Sequence, residues 1–560
     1  MSATAKTNMA AVWLLLAVIP LTGNAETQTA SLPAILTDQS GEHYLPDFSY
    51  AGYRNSNEQL PATTGSIVDV RQFGAVPDDG KDDTKAILAA IESANEIQQP
   101  VVIRFEPGEY RITEVLRIER SNIVLQGAGS GAGGTTLFFP RPLDQVDKSS
   151  SLDELRKYIV DLDKRQRQPE LNLDDFFSEY SWSGGFIWVQ KPGTRPAPYL
   201  EEYDPEIQVL AEIQSGKMGG RILSVSGNKD IQAGDVVQVQ WMNSDGPAAG
   251  IIKSLYGENY ELAGSHHWSF PQRPLVRQST RVIAVDGDEL TLADPLLHDV
   301  DDDTPARIAQ WSHLQEVGIE DLRIRFPDSP YFGHHMERGY NGIYFTSAYD
   351  SWIRNVSFTN ADSGILSYNS ANLTFQDIVS DGNRKAHYAV HMGNVHNVLA
   401  KNVTILNPVL HSLTFNTQST KCVYQNATVF VEPTLDQHAG ANHQNLFDNV
   451  TLHAPAVPTD DGPAVVAFDG SGAGYWQPGH GAFNTTWNLR ILVSGGAYAS
   501  ETVTVQGLDE GPGGRIVGLH GNRDFALDYR PVPYIESLNR ELSNVPSLFD
   551  YQLRHRLDSM

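Results

Sequence analysis

Cysteine is almost missing from this chain. Cys422 is the sole one in 560 residues, so no disulfide can form within the chain and stability must come from a packed core. Long apolar runs are missing as well: beyond the first 25 residues no segment is apolar enough to cross a bilayer. Positive charge is scarce, with 41 Lys and Arg against 68 Asp and Glu and a net charge of −27. That deficit argues against general nucleic-acid binding and against docking on anionic membranes. It also means that an anionic ligand would need a local basic patch, because the bulk charge repels it. Global disorder is excluded in turn by 40% hydrophobic and 9% aromatic residues.

The first 25 residues read as a secretory signal. Lys6 supplies positive charge, the run AAVWLLLAVIPL from Ala10 to Leu21 is apolar, and Gly23-Asn24-Ala25 makes a small-residue cleavage site. The expected destination of the mature chain is the periplasm or the extracellular space.

The second half repeats. NGIYFTSAYDSWIRNVSF is followed by SGILSYNSANLTFQDIV, YAVHMGNVHNVLAKNVTI, HSLTFNTQSTKCVYQNATV and NLFDNVTL. An amide or acid recurs at Asn355, Asp377, Asn402, Asn426 and Asn449, at spacings of 22, 25, 24 and 23 residues. Each unit holds two short alternating strands and no helix, which predicts coils stacked as a parallel β-helix. The recurring Asn is read as a structural ladder at a bend. In the first strand of each unit, Ile343, Phe345, Ile365, Val390, Met392, Leu413 and Phe415 should face the core. The alternating columns Tyr344, Leu366, His391, Thr414 and Tyr340, Asp362, His387, Leu410 should then face out.

An open solenoid end exposes core and unpaired backbone. The stretch FGAVPDDGKDDTKAILAAI (73–91) predicts a helix whose Ile87, Leu88, Ile91 and Ala94 form one apolar face, capped by Asp82 or Asp83. It precedes the first strand-like segments, so it is expected to plug the N-terminal end of the stack.

Three motifs in order, VDVRQFGAVPDDGKDDTKAILAAI, FEPGEYRIT and NIVLQGAGSGAGGTTLFF, resemble the N-terminal pattern of the pectate-lyase-like right-handed β-helix superfamily. The resemblance implies an all-β, right-handed parallel β-helix and a polysaccharide-active protein, with the chemistry left open because the fold hosts many activities. AGDVVQVQW and TRVIAVDGDELTLADPLLHDV (233–300) resemble a β-rich insertion of bacterial members, and PSLFDYQLRHRL (546–557) a common C-terminal helix. The expected organisation is one domain over 26–560, with a mixed insertion at about 141–315 and a C-terminal helical segment at about 540–558. Residues 150–167 read as a charged surface helix.

The turns ahead of the first strands are rich in chemistry. FGHHMERGY (332–340), TNADS (359–363), SDGNRKAHY (380–388), LNPVLH (406–411) and TLDQHAGANHQN (434–445) should lie side by side along one edge. They bring His334, His335, Arg338, Arg384, Lys385, His387, His411, His438 and His443 together on an acidic protein. A polysaccharide lyase needs the substrate carboxylate neutralised, a base for the adjacent proton and an acid for the leaving oxygen. Lys385, His387, Tyr388 and His411 are the expected base and acid, with Arg384 and Arg338 for the carboxylate. His334, His335, His391, His438, His443 and Tyr344 are expected to bind substrate.

A glycoside hydrolase would instead use two carboxylates, from Asp362, Asp381 and Asp436. Asp460-Asp461 and Gly479-His480-Gly481 echo part of the polygalacturonase pattern, but its Asn-Thr-Asp and late lysine are absent. A third reading is a non-catalytic glycan binder, with Trp182, Trp188, Tyr256, Tyr260 and Trp268 stacking on sugar rings. No metal site is expected: His387 and His391 are roughly 13 Å apart on a strand. Calcium on Asp362, Asp381 or Asp436 is the one alternative cofactor. The expected partner is an acidic polysaccharide, with neither nucleic acid nor a membrane span.

Overall fold

The computed structural model describes residues 31–38, 43–149, 152–153, 155–157, 177–194, 207–228, 230–243, 249–257, 274–470, 472, 479–495, 502–508 and 511–560. The signal segment, the 158–167 part of the charged helix, Tyr260 and Trp268 lie outside them. The architecture is a right-handed parallel β-helix. One wall is an eight-stranded parallel sheet that includes Leu116–Ile118, Ile187–Gln190, Asn341–Thr346, Ser363–Tyr368, Ala386–Met392, Val409–Phe415 and Leu435–Gln437. The other walls belong to one 20-stranded sheet whose long members, such as Ala348–Thr359 and Ser370–Asp381, turn a corner midway.

Those corners explain the recurring amide. Asn355, Asp377, Asn402, Asn426 and Asn449 all adopt left-handed backbone, with φ between 52° and 57°, and Asp321 and Asn488 extend the series. Asn and Asp tolerate this region better than other L-residues. Their side chains then bond rung to rung: Asn355 Nδ2 to Asp321 Oδ1 at 2.7 Å, Asn402 to Asp377 at 2.8 Å, Asn449 to Asn426 at 2.8 Å and Asn488 to Asn449 at 3.0 Å. The two strands expected per unit are thus three short faces, because the second strand bends at the ladder.

Inside, Ile343, Ile365, Val390, Leu413 and Leu435 stack in register and are fully buried, as are Phe345, Met392 and Phe415. Each such side chain contributes about 1.5–3 kcal/mol relative to exposure. The helix Thr84–Asn95 buries Ile87, Ala90, Ile91 and Ala94 in this same core. Its acidic approach is turn chemistry: Asp82 accepts from Thr84 N at 3.0 Å, and Asp83 accepts from Val76 N at 2.8 Å and Arg111 N at 3.1 Å.

The outer faces are covered. The helix Leu548–Asp558 starts on Asp448, whose carboxylate accepts from Leu548 N at 2.8 Å and Phe549 N at 3.2 Å. Its Leu548 and Phe549 pack with Phe48, Trp487 and Leu542 along one flank. Over the eight-stranded sheet, Leu152, Leu155, Phe177 and Trp182 form a roof on Trp188, Tyr344, Leu366 and Tyr368. The column expected to face solvent does face outward, but the roof buries it. Six strands, from Val209–Gly216 to Ala306–Gln310, close into a separate barrel with its own core. Because Ile187–Gln190 is a rung strand, the residues between 141 and 315 leave the β-helix twice.

The ladder makes a stability prediction. Asn449→Val places a branched side chain at φ 53° and removes two amide bonds. The expected loss is about 2–4 kcal/mol, read as a lower urea midpoint. Asn449→Gly, which restores the backbone freedom only, should recover part of it.

Candidate functional site

Five imidazoles meet where the roof reaches the eight-stranded sheet. His334 and His335 come from the 332–340 turn, His387 from the start of one rung strand, His411 from the next, and His438 from just past Leu435–Gln437. Ring centres of His334 and His387 are 5.0 Å apart, His387 and His411 5.2 Å, His334 and His411 5.7 Å, and His411 and His438 4.6 Å. Tyr388 sits within the group. It stacks on His387 at 4.1 Å and on His411 at 5.1 Å, with His391 edge-on at 4.7 Å.

Two buried carboxylates back the imidazoles. Glu337 Oε2 lies 3.5 Å from His387 Nδ1 and accepts from Ser181 Oγ at 2.7 Å, while Tyr331 donates to its other oxygen at 3.2 Å. Asp436 lies 3.0 Å from His411 Nδ1 and 3.4 Å from His438 Nδ1, and accepts from Thr414 Oγ1 at 2.6 Å. Thr414 and Asp436 are register partners, so Asp436 continues the outward column that begins at Tyr344.

Burial decides the charge here. It pulls His334 down to about 4 and His335 to about 2, and it holds His387 and His391 well below the usual imidazole range, with the neighbouring imidazoles adding to the effect. Burial also pushes Glu337 up. Asp436 is the exception. Burial works against its anion, but His438 and His411 outweigh it and hold the carboxyl well below its ordinary value. Burial likewise opposes a charged His438, yet Asp436 beside it raises that ring. His334, His335, His387 and His391 are therefore held as neutral imidazoles, so this part of the edge is not the basic patch that its residue types suggest.

The expected cations are committed elsewhere. Arg384 is buried, with Nε 3.4 Å from Asp362 Oδ1, donates to Ser329 and the Asn360 carbonyl, and lies over the Tyr340 ring. Lys385 pairs with Glu432 at 2.7 Å on the rim. Arg338 pairs with Asp144, at 2.7 Å from Nε. Tyr344 packs against Trp188 and Tyr368 beneath the roof, and His391 lies deep between Tyr368 and Tyr388. His443 is elsewhere altogether: its Nε2 is 2.8 Å from His298 Nε2, in the joint between barrel and β-helix. His480 Nε2 accepts from Gly511 N. Trp182, Trp188 and Tyr256 are core residues.

The acids expected to offer calcium ligands do not converge. Asp362 accepts from Gly339 N and Tyr340 N, Asp381 accepts from Thr359 Oγ1, and Asp436 serves the histidines. Among the described residues, the groups placed to hold an ion are His334, His335, His387 and His411, Asp436, His438. Sequence reasoning passed over Glu337, although it stands inside FGHHMERGY and is the one acid of that turn.

Two family models match the chain. One, rhamnogalacturonase A/epimerase, pectate lyase-like, covers residues 67–138, and the other, periplasmic copper-binding protein (NosD), covers 327–450. The chain has the pectate-lyase-like β-helix fold. No protein of curated function matches it. Solved structures similar to this pectate-lyase-like chain include the tailspike protein gp49 of Pseudomonas phage LKA1, at 15% identity and TM-score 0.39, over 84% of this chain and 81% of that one. DFA-IIIase of Arthrobacter chlorophenolicus A6 matches at 12% identity and TM-score 0.39, over 84% and 94%. The A-module of the mannuronan C-5 epimerase of Azotobacter vinelandii matches at 11% and 0.30, over 85% and 97%. Likeness this distant carries no argument about chemistry, which must come from the site.

The Asp436–His438 pair sets a pH window. A lowered carboxyl contributes stability above its unfolded value, near 3.8, and loses it as pH falls through the folded one. A raised imidazole contributes below 6.5 and loses it as pH rises through its folded value. Asp436→Asn should therefore lower the melting temperature most between about pH 4 and 6.5, with a smaller gap at pH 8. A gap that is constant with pH would show that the pair is not charged.

Proposed function

We propose that the protein is a secreted or periplasmic lyase that cleaves an acidic, uronate-containing polysaccharide by β-elimination. The observation that carries this reading is the packing of the Tyr388 ring against both His387 and His411, at 4.1 and 5.1 Å between ring centres. In the reaction, a base takes the proton beside the uronate carboxylate. The electron pair forms a carbon–carbon double bond, the glycosidic C–O bond breaks, and the leaving oxygen takes up a proton. Tyr388 is the group that takes the first proton and returns one to the leaving oxygen. Tyr388 reacts as its phenolate, its own phenolic proton having left to bulk water beforehand, so that one proton is taken from the substrate and one is returned to the leaving oxygen.

With Arg338, Arg384 and Lys385 held by Asp144, Asp362 and Glu432, the substrate carboxylate is left to hydrogen bonds from imidazole N–H groups. His334 is the exposed member of the cluster, which supports its assignment as the imidazole that meets substrate first. Among the described residues, no helix is long and apolar enough to cross a membrane.

A hydrolase reading has one observation of its own. Burial pushes the Glu337 carboxyl up, whereas His438 and His411 hold the Asp436 carboxyl down, so the two acids of the cluster are shifted in opposite directions. That divergence is what an acid and base pair of a glycosidase requires.

The two readings separate on a panel of acidic polysaccharides. β-Elimination gives an ultraviolet-absorbing unsaturated uronate, and hydrolysis gives reducing ends without it. The expected result is absorbance on one polymer, with Tyr388→Phe lowering kcat by about 10²–10⁴ and leaving KM little changed. Lys385→Ala should cost far less. Reducing ends without absorbance, lost in Glu337→Gln, would replace the lyase with a hydrolase.

A further inference from the structure

The histidine cluster is built in two layers. His387 is fully buried and His411 nearly so, and each has Nδ1 beside a carboxylate, Glu337 for the first and Asp436 for the second. Both nitrogens of each ring, Nε2 included, are buried without a hydrogen bond among the described residues, although Nδ1 stands beside its carboxylate. A buried imidazole nitrogen left unsatisfied costs free energy, so two side by side need a ligand. A carboxylate behind the far nitrogen of an imidazole is how proteins fix the tautomer and orientation of metal-binding histidines.

The spacing fits an ion. With nitrogen about 2.0–2.1 Å from a tetrahedral metal, the ring centres of its histidines fall roughly 5 Å apart. His334, His387 and His411 stand 5.0, 5.2 and 5.7 Å from one another, centre to centre. The ligating atoms of His334, His335 and His387 already lie within 4.8 Å of each other. His335 is stacked beside His334 at 3.8 Å and against Trp182 at 4.8 Å. That is too close to His334 for both to share a tetrahedral ion without one ring turning.

We propose that His334, His387 and His411 bind one divalent transition metal of the imidazole-seeking class, with His335 as the alternate fourth ligand and Glu337 and Asp436 as positioning residues. Neutral imidazoles select zinc or copper, whereas calcium needs a shell of oxygen donors that this cluster lacks. The site deepens the lyase reading and rests on it for its role, since the ion would supply the positive charge that the committed arginines do not. The binding itself stands without that reading.

The test is calorimetric titration of the chelator-stripped full chain with Zn²⁺, and separately with Ca²⁺, in the absence of polysaccharide. One Zn²⁺ per chain is expected, with Ca²⁺ at least 100-fold weaker. His334→Gln and His387→Gln should each weaken Zn²⁺ by at least 30-fold, and Glu337→Gln by about 10-fold. Because His334 is exposed, His334→Gln should leave the melting temperature of the stripped protein unchanged, so its effect is not one of folding. Cu²⁺-loaded protein should show nitrogen hyperfine coupling in its electron paramagnetic resonance spectrum, diminished in His411→Gln. No stoichiometric Zn²⁺, or Zn²⁺ binding that survives His334→Gln and His387→Gln, would overturn the site. Zinc binding without unsaturated product removes the lyase and keeps the metal. Unsaturated product from protein that binds no zinc does the reverse.

Discussion

The coils from Asp321 to Asn488 turn their corner at a residue that accepts left-handed backbone. Three short parallel faces need sharp turns, and a turn with φ near +55° excludes most side chains. Asn and Asp meet the constraint and then bond along the stack, so one choice of residue shapes the coil and ties it to its neighbours. The core register, with Ile343, Ile365, Val390, Leu413 and Leu435 in line, depends on those corners being equivalent. A corner moved by one residue would turn the same side chains outward.

The site inherits its geometry from that register. Tyr388 and His411 are direct partners on adjacent strands, and Thr414 delivers a hydrogen bond to Asp436 one rung further on. The roof then changes what those residues are chemically. Excluding water holds His335 and His387 as neutral rings and pushes the Glu337 carboxyl up, while the imidazoles beside Asp436 hold its carboxyl low.

The fold was legible because its rules are local and repeated. Corner amides recur at fixed spacing, core residues alternate, and the capping helix carries its own apolar face. The edge that gathers His334, His335, His387, His411 and His438 was legible for the same reason. What could not be read were pairings between distant segments. Nothing near Tyr344 signals that Leu152 and Trp182 cover it, nor does anything near Arg384 signal that Asp362 holds its guanidinium. His443 followed the repeat in sequence, but the barrel's His298 claims it. Charge state was also beyond reach, since it follows from burial and not from residue type.

The rung strand Ile187–Gln190 has a kinetic consequence. It pairs with Leu116–Ile118 across 71 residues and with Asn341–Thr346 across 156, whereas the later rungs pair across 22 to 25. Closing the longest of these loops costs roughly 2 kcal/mol more entropy than closing a late rung, and non-local contacts slow folding. Assembly is therefore expected to nucleate in the tight C-terminal repeats and spread backward. The histidine-bearing edge would take shape early, while its roof arrives only after the slowest crossing, so the cluster would lose its water last.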